Sequence, residues 1–454
     1  MSGLRRGGWR AGVVRAGLAA LLGLAVAAPS STAAQETAQR VALPASAVQA
    51  AAAAAVDSAP GEHLQVVVLT VGQGEAVWEM FGHNLLWIRD TLTGEEAAWN
   101  WGMFSFTEPD FLRRFLLGDT RYWMQGDDVA ATLAYYQSTG REVTAQQLAL
   151  TMSQRAALQA FVRANAEESA RYYRYDYFLD NCSTRLRDAL DLVLGGALAT
   201  AFGAETTTHS YRSETLRLVQ QDAWLVLGID FALGFPADRP LTVWETAFVP
   251  MRLRDALATV TVSDGVGGQR PLVSRTVTAV RAVRPEATAT FPAAQLPWRV
   301  LVIGVAVLGL GALLGRRQLA LGRGIALPNR LFAASVHLVL GTVAVLALAM
   351  WLFTRHHFWA WNPHVVIVTP LSLVVALAVL VRGAARMPRW VVAYHAILAG
   401  GALAVGLGVL VRTVLNDDAP GAVFSLWAHA SWMLHLGAGM ALAPWPWLRA
   451  GSRA

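Results

Sequence analysis

Cys182 is the single cysteine of a 454-residue chain, and its surroundings favour reactivity. It lies in Tyr173-Arg-Tyr-Asp-Tyr-Phe-Leu-Asp-Asn-Cys-Ser-Thr-Arg-Leu-Arg-Asp188, where an aromatic run ends in Asp180-Asn181. Leu186, Ala189, Leu190 and Val193 then recur at helical spacing, which predicts a helix over about 182–194. Asn181 is suited to N-cap it, placing Cys182 in the first turn. Unpaired N–H groups and the helix dipole there favour a thiolate, and Arg185 and Arg187 add positive charge. The alternative is a small buried residue at a strand–helix junction.

A thiolate nucleophile needs a base, and the base needs an orienting group. Before the apolar C-terminal half the chain offers His63, His83 and His209. His83 ranks first: in Phe81-Gly-His-Asn84, Gly82 permits close backbone approach and the following strand can hold the ring. His209, in a Thr-rich loop, ranks second, and His63, at the domain edge, third. Alternatively, His83 is a satisfied residue that merely begins a strand. Asn100 sits on the expected hairpin partner strand, where its side-chain carbonyl can fix the imidazole tautomer; otherwise it is a turn or edge asparagine. Asp180 and Asn181 can shape an oxyanion site or cap the helix. Tyr175 or Tyr177 can donate to that site, and Arg185 can support it.

These residues must be held outside the cytoplasm. A basic start, an apolar stretch from Leu18 to Ala28 and small residues to Ala34 read as a secretory signal over 1–34, cleaved after Ala33 or Ala34, with retention as an anchor the alternative. One cysteine cannot form an internal disulfide, so an exported free thiol needs a reason. All 37 basic residues are arginine. Thirteen lie in the leader or in short segments beside apolar spans, leaving 24 against 31 acidic residues, which gives nucleic-acid binding no support.

Residues 35–60 read as a linker and 61–260 as the exported domain. Within it, strands are expected at 65–71, 79–89, 97–102 and 122–124, a short helix at 108–118, and helical character in 127–138 and 144–170. Residues 224–257 read as loop and helix packed on the same domain. A polar, β-rich juxtamembrane segment, 261–297, follows. The chain is 55% hydrophobic and 15% charged, and five apolar spans explain why: about 298–315, 331–353, 364–382, 390–412 and 424–447, each long enough for a bilayer core. The fifth carries His429 and His435 and is broken by Pro444 and Pro446. Arginines cluster after the first and third spans, so these loops are expected inside and the exported domain outside, with the 448–454 tail cytoplasmic.

The segments Phe81-Gly-His-Asn-Leu-Leu-Trp-Ile-Arg89, Trp99-Asn-Trp-Gly-Met-Phe-Ser-Phe106 and Phe111 to Tyr122 precede Tyr175 to Asp188 and Gly228-Ile-Asp-Phe-Ala-Leu-Gly-Phe-Pro-Ala-Asp238. In that order, over about 62–258, they resemble the exported domain of the Lnb-type lipoprotein N-acyltransferases. The resemblance implies an α+β fold, a permuted papain-like (NlpC-type) cysteine domain with histidine before cysteine, followed by an all-α membrane bundle. It implies Cys182 as nucleophile and His83 as base; Asn100 matches more loosely. The segment Phe353-Thr-Arg-His-His-Phe-Trp-Ala-Trp-Asn-Pro-His364 also resembles the family's, with arginine and a second histidine where the family tends to carry an acidic residue before one histidine. This departure leaves His356, His357 and Asn362 without an assigned role.

A cysteine–histidine pair tied to a membrane bundle suits acyl transfer through a thioester. The expected donor is a membrane lipid or a lipoprotein's own diacylglyceryl group, and the expected acceptor a lipoprotein N-terminal amine, in a bacterial inner membrane. The alternatives are a membrane-anchored cysteine peptidase or amidase acting on peptidoglycan or peptide, and a non-enzymatic membrane protein with an exported binding domain. No cofactor or metal is expected: His356, His357 and His364 have no carboxylate or cysteine beside them in sequence. His337, His395, His429 and His435 are expected to bond across helices rather than relay protons.

Overall fold

The computed structural model describes residues 60–263, 267–284, 286–287, 298–321, 324–382, 387–416 and 419–442, and the side chains of 409 and 412–426 are outside that description. The expectations for the leader, nearly all of the linker, part of the juxtamembrane segment, Pro444, Pro446 and the tail fall outside the described residues. What is described belongs to one compact unit, 54–454.

An antiparallel sheet organises the first half. Strand β1 (Leu64–Val71) is rich in β-branched residues and pairs in register with β2 (His83–Asp90), Val71 opposite His83 and Leu64 opposite Asp90. Strand β3 (Glu96–Met103) continues the meander, with Leu85 opposite Asn100. Helix α1 (Phe111–Leu117), β4 (Arg121–Asp127), α2 (Val129–Ser138), β5 (Val143–Leu148), α3 (Met152–Ala166) and β6 (Tyr172–Arg174) follow. After α4 (Cys182–Val193), α5 (Ala197–Phe202), α6 (Tyr211–Leu218), α7 (Ala223–Ala232), α8 (Val243–Thr246) and α9 (Pro250–Leu257), the chain pairs β7 (Thr261–Ser263) with β8 (Gln269–Pro271). It then returns as β9 (Val273–Val280). The large sheet runs β6-β4-β3-β2-β1-β5-β9.

Helix α4 lies on this sheet because Leu186, Ala189 and Leu190 form one apolar stripe. They pack with Val66, Val68, Leu86, Trp101 and Met124 in the main core. Each fully buried Leu or Val there contributes about 1.5–3 kcal/mol. Two sequence expectations need correction. The second strand begins at His83, since residues 76–82 form a turn in which Met80 N–H bonds the Ala76 carbonyl at 3.1 Å. Residues 143–148 are strand and not helix, because β5 is laddered on both edges, to β1 and to β9, which overrides the helical leaning of its Ala-Gln-Gln-Leu. The helix starts at Met152, behind a Thr151–Gln154 capping box.

The second half is helical: α10 (Arg299–Leu321), α11 (Leu327–Phe353), α12 (His364–Val368), α13 (Leu371–Val381), α14 (Arg389–Asn416) and α15 (Ala419–Leu442). Among the described residues, four helical segments are long and apolar enough to cross a membrane: Arg299–Leu321, Leu327–Phe353, His364–Val381 and Arg389–Gly408. The fifth expected span falls on α15. Helix α7 also departs from expectation. Instead of packing only within the first half, it sets Val226 and Leu227 against Trp427, Val300 and Ala430 of the helical half.

Candidate active site

Cys182 is the first residue of α4, behind Asn181 in extended conformation. The Asn181 Oδ1 accepts the N–H groups of Ser183 at 2.9 Å and Thr184 at 3.0 Å, while Thr184 Oγ1 accepts the Asn181 N–H at 2.8 Å, a reciprocal cap. Both Asn181 amide hydrogens are also committed, to the carbonyls of Tyr177 at 2.9 Å and Phe248 at 3.0 Å. Asn181 is thus engaged as a structural cap.

His83 opens β2. Gly82 before it has φ +76°, and a Cβ there would fall 2.7 Å from Met251 Sδ and 2.9 Å from the Val71 carbonyl, so only glycine lets the strand start here. Because β2 and β3 pair with Leu85 opposite Asn100, the side chains of His83 and Asn100 meet, and His83 Nε2 lies 2.7 Å from Asn100 Oδ1. An amide oxygen only accepts, so Nε2 carries the proton and Nδ1 is left for Cys182. Asn100 is held in turn, its Nδ2 donating to Met103 Sδ at 3.0 Å and Asp127 Oδ2 at 3.5 Å.

Charge couples the cysteine and histidine. Burial alone would push the Cys182 thiol up, but the His83 charge, the hydrogen bond to its ring and the N–H groups of Asn84 and Ser183 outweigh it and hold the thiol below its ordinary value. Burial alone would likewise lower His83; the Cys182 charge and the hydrogen bonds to Cys182 and Asn100 outweigh it, and the imidazole is raised. Shifts in these opposite directions favour passage of the proton from the thiol to the ring.

Several supporting residues escape a sequence reading. Asn84 Nδ2 donates to Ser183 Oγ at 3.0 Å, and Ser183 Oγ donates to the Ala247 carbonyl at 2.6 Å, tying β2 to the start of α4. Gly102, with φ +95°, lies at a bulge between β3 and β4, and a Cβ there would come 3.7 Å from Cys182 Cβ. Its position just after Asn100 in Trp-Asn-Trp-Gly was the available signal.

The other expected residues have other partners. Asp180 grips Arg185 at 2.6 and 2.8 Å, and Arg185 covers the Tyr173 ring at 3.7 Å, so both are engaged beside the site. Tyr175 lines the cavity in front of Cys182; burial, then the neighbouring thiolate charge, raises it well above the usual tyrosine value, so its hydroxyl stays protonated. Tyr177 stacks 6.1 Å from His356. His63 is exposed beside Leu64, at the end of the β1–β2 hairpin opposite His83. His209 is taken up by Glu214 at 3.2 Å and Arg252 at 3.2 Å.

Cys182, His83 and Asn100 face a cavity of about 1910 Å³. That is larger than the ~300–1,000 Å³ usual for small-molecule sites. Its walls are largely aromatic and aliphatic, and Arg355, His356 and Trp359, from the segment joining α11 to α12, close one side. That segment clasps the sheet domain. His357 Nε2 lies 3.5 Å from Asp176 Oδ2, and the Asn362 amide donates to the carbonyls of Phe231 at 2.7 Å and Ala232 at 3.2 Å. Among the described residues, no group of three or more His, Cys, Asp or Glu side chains is gathered so as to hold a metal ion.

Residues 51–221 match the family model of the Lnb N-terminal periplasmic domain. No curated protein and no solved structure matches the chain. The match spans β1 to α6 and with them Cys182, His83 and Asn100. Residues 51–221 thus carry a periplasmic N-terminal domain of the Lnb type.

Proposed function

We propose that the protein is a membrane-bound acyltransferase that carries a fatty acyl group on Cys182 and delivers it to the N-terminal amine of a diacylglyceryl lipoprotein. The observation that carries this reading is a polarised Cys182–His83–Asn100 chain facing a large apolar cavity that is walled in part by a segment of the helical half. A water-soluble substrate would not need such walls, whereas an acyl chain would.

In the proposed reaction the Cys182 thiolate attacks the carbonyl of an ester-linked acyl chain, from a membrane lipid or the lipoprotein's own diacylglyceryl group. The first-turn N–H of Cys182 faces the developing oxyanion. The C–O bond breaks, the leaving alkoxide takes the proton held by His83, and a thioester remains. An amine then attacks the thioester carbonyl while His83 accepts its proton. The C–S bond breaks, the amide forms and the thiolate–imidazolium pair is restored. Asn100 keeps Nδ1 of His83 turned to sulfur throughout.

Cysteine at a helix start with histidine and asparagine on adjacent strands supports the permuted papain-like reading of the domain. The five helices as spans of a bacterial inner membrane, with the catalytic domain outside and the C-terminus inside, belong to the same proposal and follow from the arginine distribution.

The test is expression in cells lacking their own lipoprotein N-acyltransferase, with lipoprotein N-termini read by mass spectrometry. The unaltered chain is expected to give N-acylated termini, and Cys182→Ala and His83→Ala free amines. Free amines with all three would refute the transferase reading, and peptide or peptidoglycan cleavage dependent on Cys182 would favour the hydrolase.

A further inference from the structure

The rim of the cavity is apolar where it adjoins the helical half. Helix α1 has no buried residue: Leu112, Phe115 and Leu116 are 68, 47 and 50% exposed, and Trp78 and Phe106 beside them are 57 and 62% exposed. Contiguous large apolar side chains left in water mark a contact surface. The position of α1 indicates what makes that contact. The Arg355 N–H bonds the Leu117 carbonyl at 2.9 Å, His356 Nε2 donates to the Phe115 carbonyl at 3.1 Å, and Arg355 pairs with Asp119 at 3.0 Å. Arg355 and His356 lie just after Phe353, the end of a membrane-length helix, so α1 is pinned at the level where that helix leaves the apolar zone. Exposed Arg113 next to Leu112 gives the rim a cation of the kind that meets phosphate headgroups.

From this rim an aromatic wall leads inward. Successive ring centroids are 5.5 Å apart for Trp78–Phe106, 5.0 Å for Phe106–Phe104, 5.1 Å for Phe104–Tyr122 and 4.4 Å for Tyr122–Tyr175. Tyr175 and Cys182 both border Gly102. An acyl chain can thus stay on apolar surface from the rim to the thiol.

We infer that the α1 rim is seated in the outer lipid surface of the membrane and is the port over which an ester-linked acyl chain, itself held in that lipid, reaches Cys182. The occupant of the rim is the bilayer: its continuity with the apolar flank of α11 and its exposed arginine favour lipid over a protein partner or a second copy. The port rests on the thioester reading above; the lipid seat does not.

The experiment uses the full chain in phosphatidylethanolamine–phosphatidylglycerol nanodiscs. In one arm, Cys182→Ser protein carries an environment-sensitive fluorophore on Leu116→Cys, or on Thr93→Cys in the distant β2–β3 turn. Brominated lipid is expected to quench position 116 and leave position 93 unchanged; equal behaviour at the two would overturn the lipid seat. In the other arm, Cys182 is loaded from a long-chain diacyl lipid or from p-nitrophenyl acetate. Leu112→Gln with Leu116→Gln should lower the ratio of long-chain to two-carbon loading by about tenfold, the scale of two or more methylenes losing apolar cover. An unchanged ratio would overturn the port. Loading from neither ester in the unaltered chain would overturn the thioester reading and the port with it, while the quenching still decides the lipid seat.

Discussion

His83, half-buried, and His395, buried, each have one imidazole nitrogen committed to an amide oxygen. His83 Nε2 meets Asn100 Oδ1 at 2.7 Å, and His395 Nδ1 meets the Val391 carbonyl at 2.6 Å. They differ in what the second nitrogen faces. For His83 it faces a thiol on the wall of a large cavity. For His395 it accepts from His337 Nε2 at 2.8 Å inside the helical half, where His435 in turn donates to the Ile367 carbonyl at 3.0 Å. The second cluster joins α11, α14 and α15, with the His395 and His435 rings each oriented by a backbone carbonyl. A hydrogen bond that fixes one ring nitrogen is common to both sites. An ionisable partner and access for a substrate separate a candidate catalyst from a clasp.

Exchanging those attributes should break the contrast, and the largest effect is expected at the thiol. Cys182→Ala removes all thiol labelling, and His83→Ala slows Cys182 alkylation by about 10²–10⁴-fold, the range of a lost general base, as measured with a fluorescent iodoacetamide. Next comes the ion network that ties α6 to α7 and the loop after it. Arg212, buried, holds Asp230 at 2.9 Å, Asp238 at 2.6 Å and the Leu233 carbonyl at 2.8 Å. Arg212→Met strands these groups and should cost about 3–5 kcal/mol, visible as a lower unfolding temperature in detergent.

Asn100→Ala leaves the base but frees its ring, and a fall of about 10–100-fold in alkylation rate is expected, less than the loss of His83 itself. A pH series sharpens the same point. Because the His83 charge holds the Cys182 thiol below its ordinary value, alkylation of the unaltered chain should reach half its maximum below that value. In His83→Ala the cation is gone and burial remains, so the midpoint should move upward. The smallest effect belongs to the clasp: His395→Leu should cost about 0.5–2 kcal/mol of stability and leave the alkylation rate of Cys182 unchanged. A large rate loss in that variant would erase the distinction between the two histidine sets.

Much of the site was legible because it rests on local rules. The Asn181 cap, the α4 stripe and the glycine before His83 each follow from short-range sterics and hydrogen bonding, and the Asn100 pairing follows from a hairpin whose turn is marked by Asp90 to Gly94. What was not legible depends on distant partners. Residues 143–148 became strand only because β1 and β9 flank them, and β9 lies more than a hundred residues away. Asn181 and Arg185 looked available for chemistry until Phe248, Asp180 and Tyr173 took them up. Helix α7 read as part of the exported domain, and its apolar side found Trp427 two hundred residues later. The clasp of His356, His357 and Asn362 on the sheet domain was hidden for the same reason.

An acyl group carried on Cys182 can be trapped. The full chain in nanodiscs is mixed with diacyl lipid or a diacylglyceryl lipopeptide, quenched in acid, digested and read by mass spectrometry. An acyl mass is expected on the peptide bearing Cys182, released by neutral hydroxylamine as a thioester is and absent in His83→Ala. N-acylation of the lipopeptide with Cys182 never acylated, or undiminished by Cys182→Ala, would contradict it.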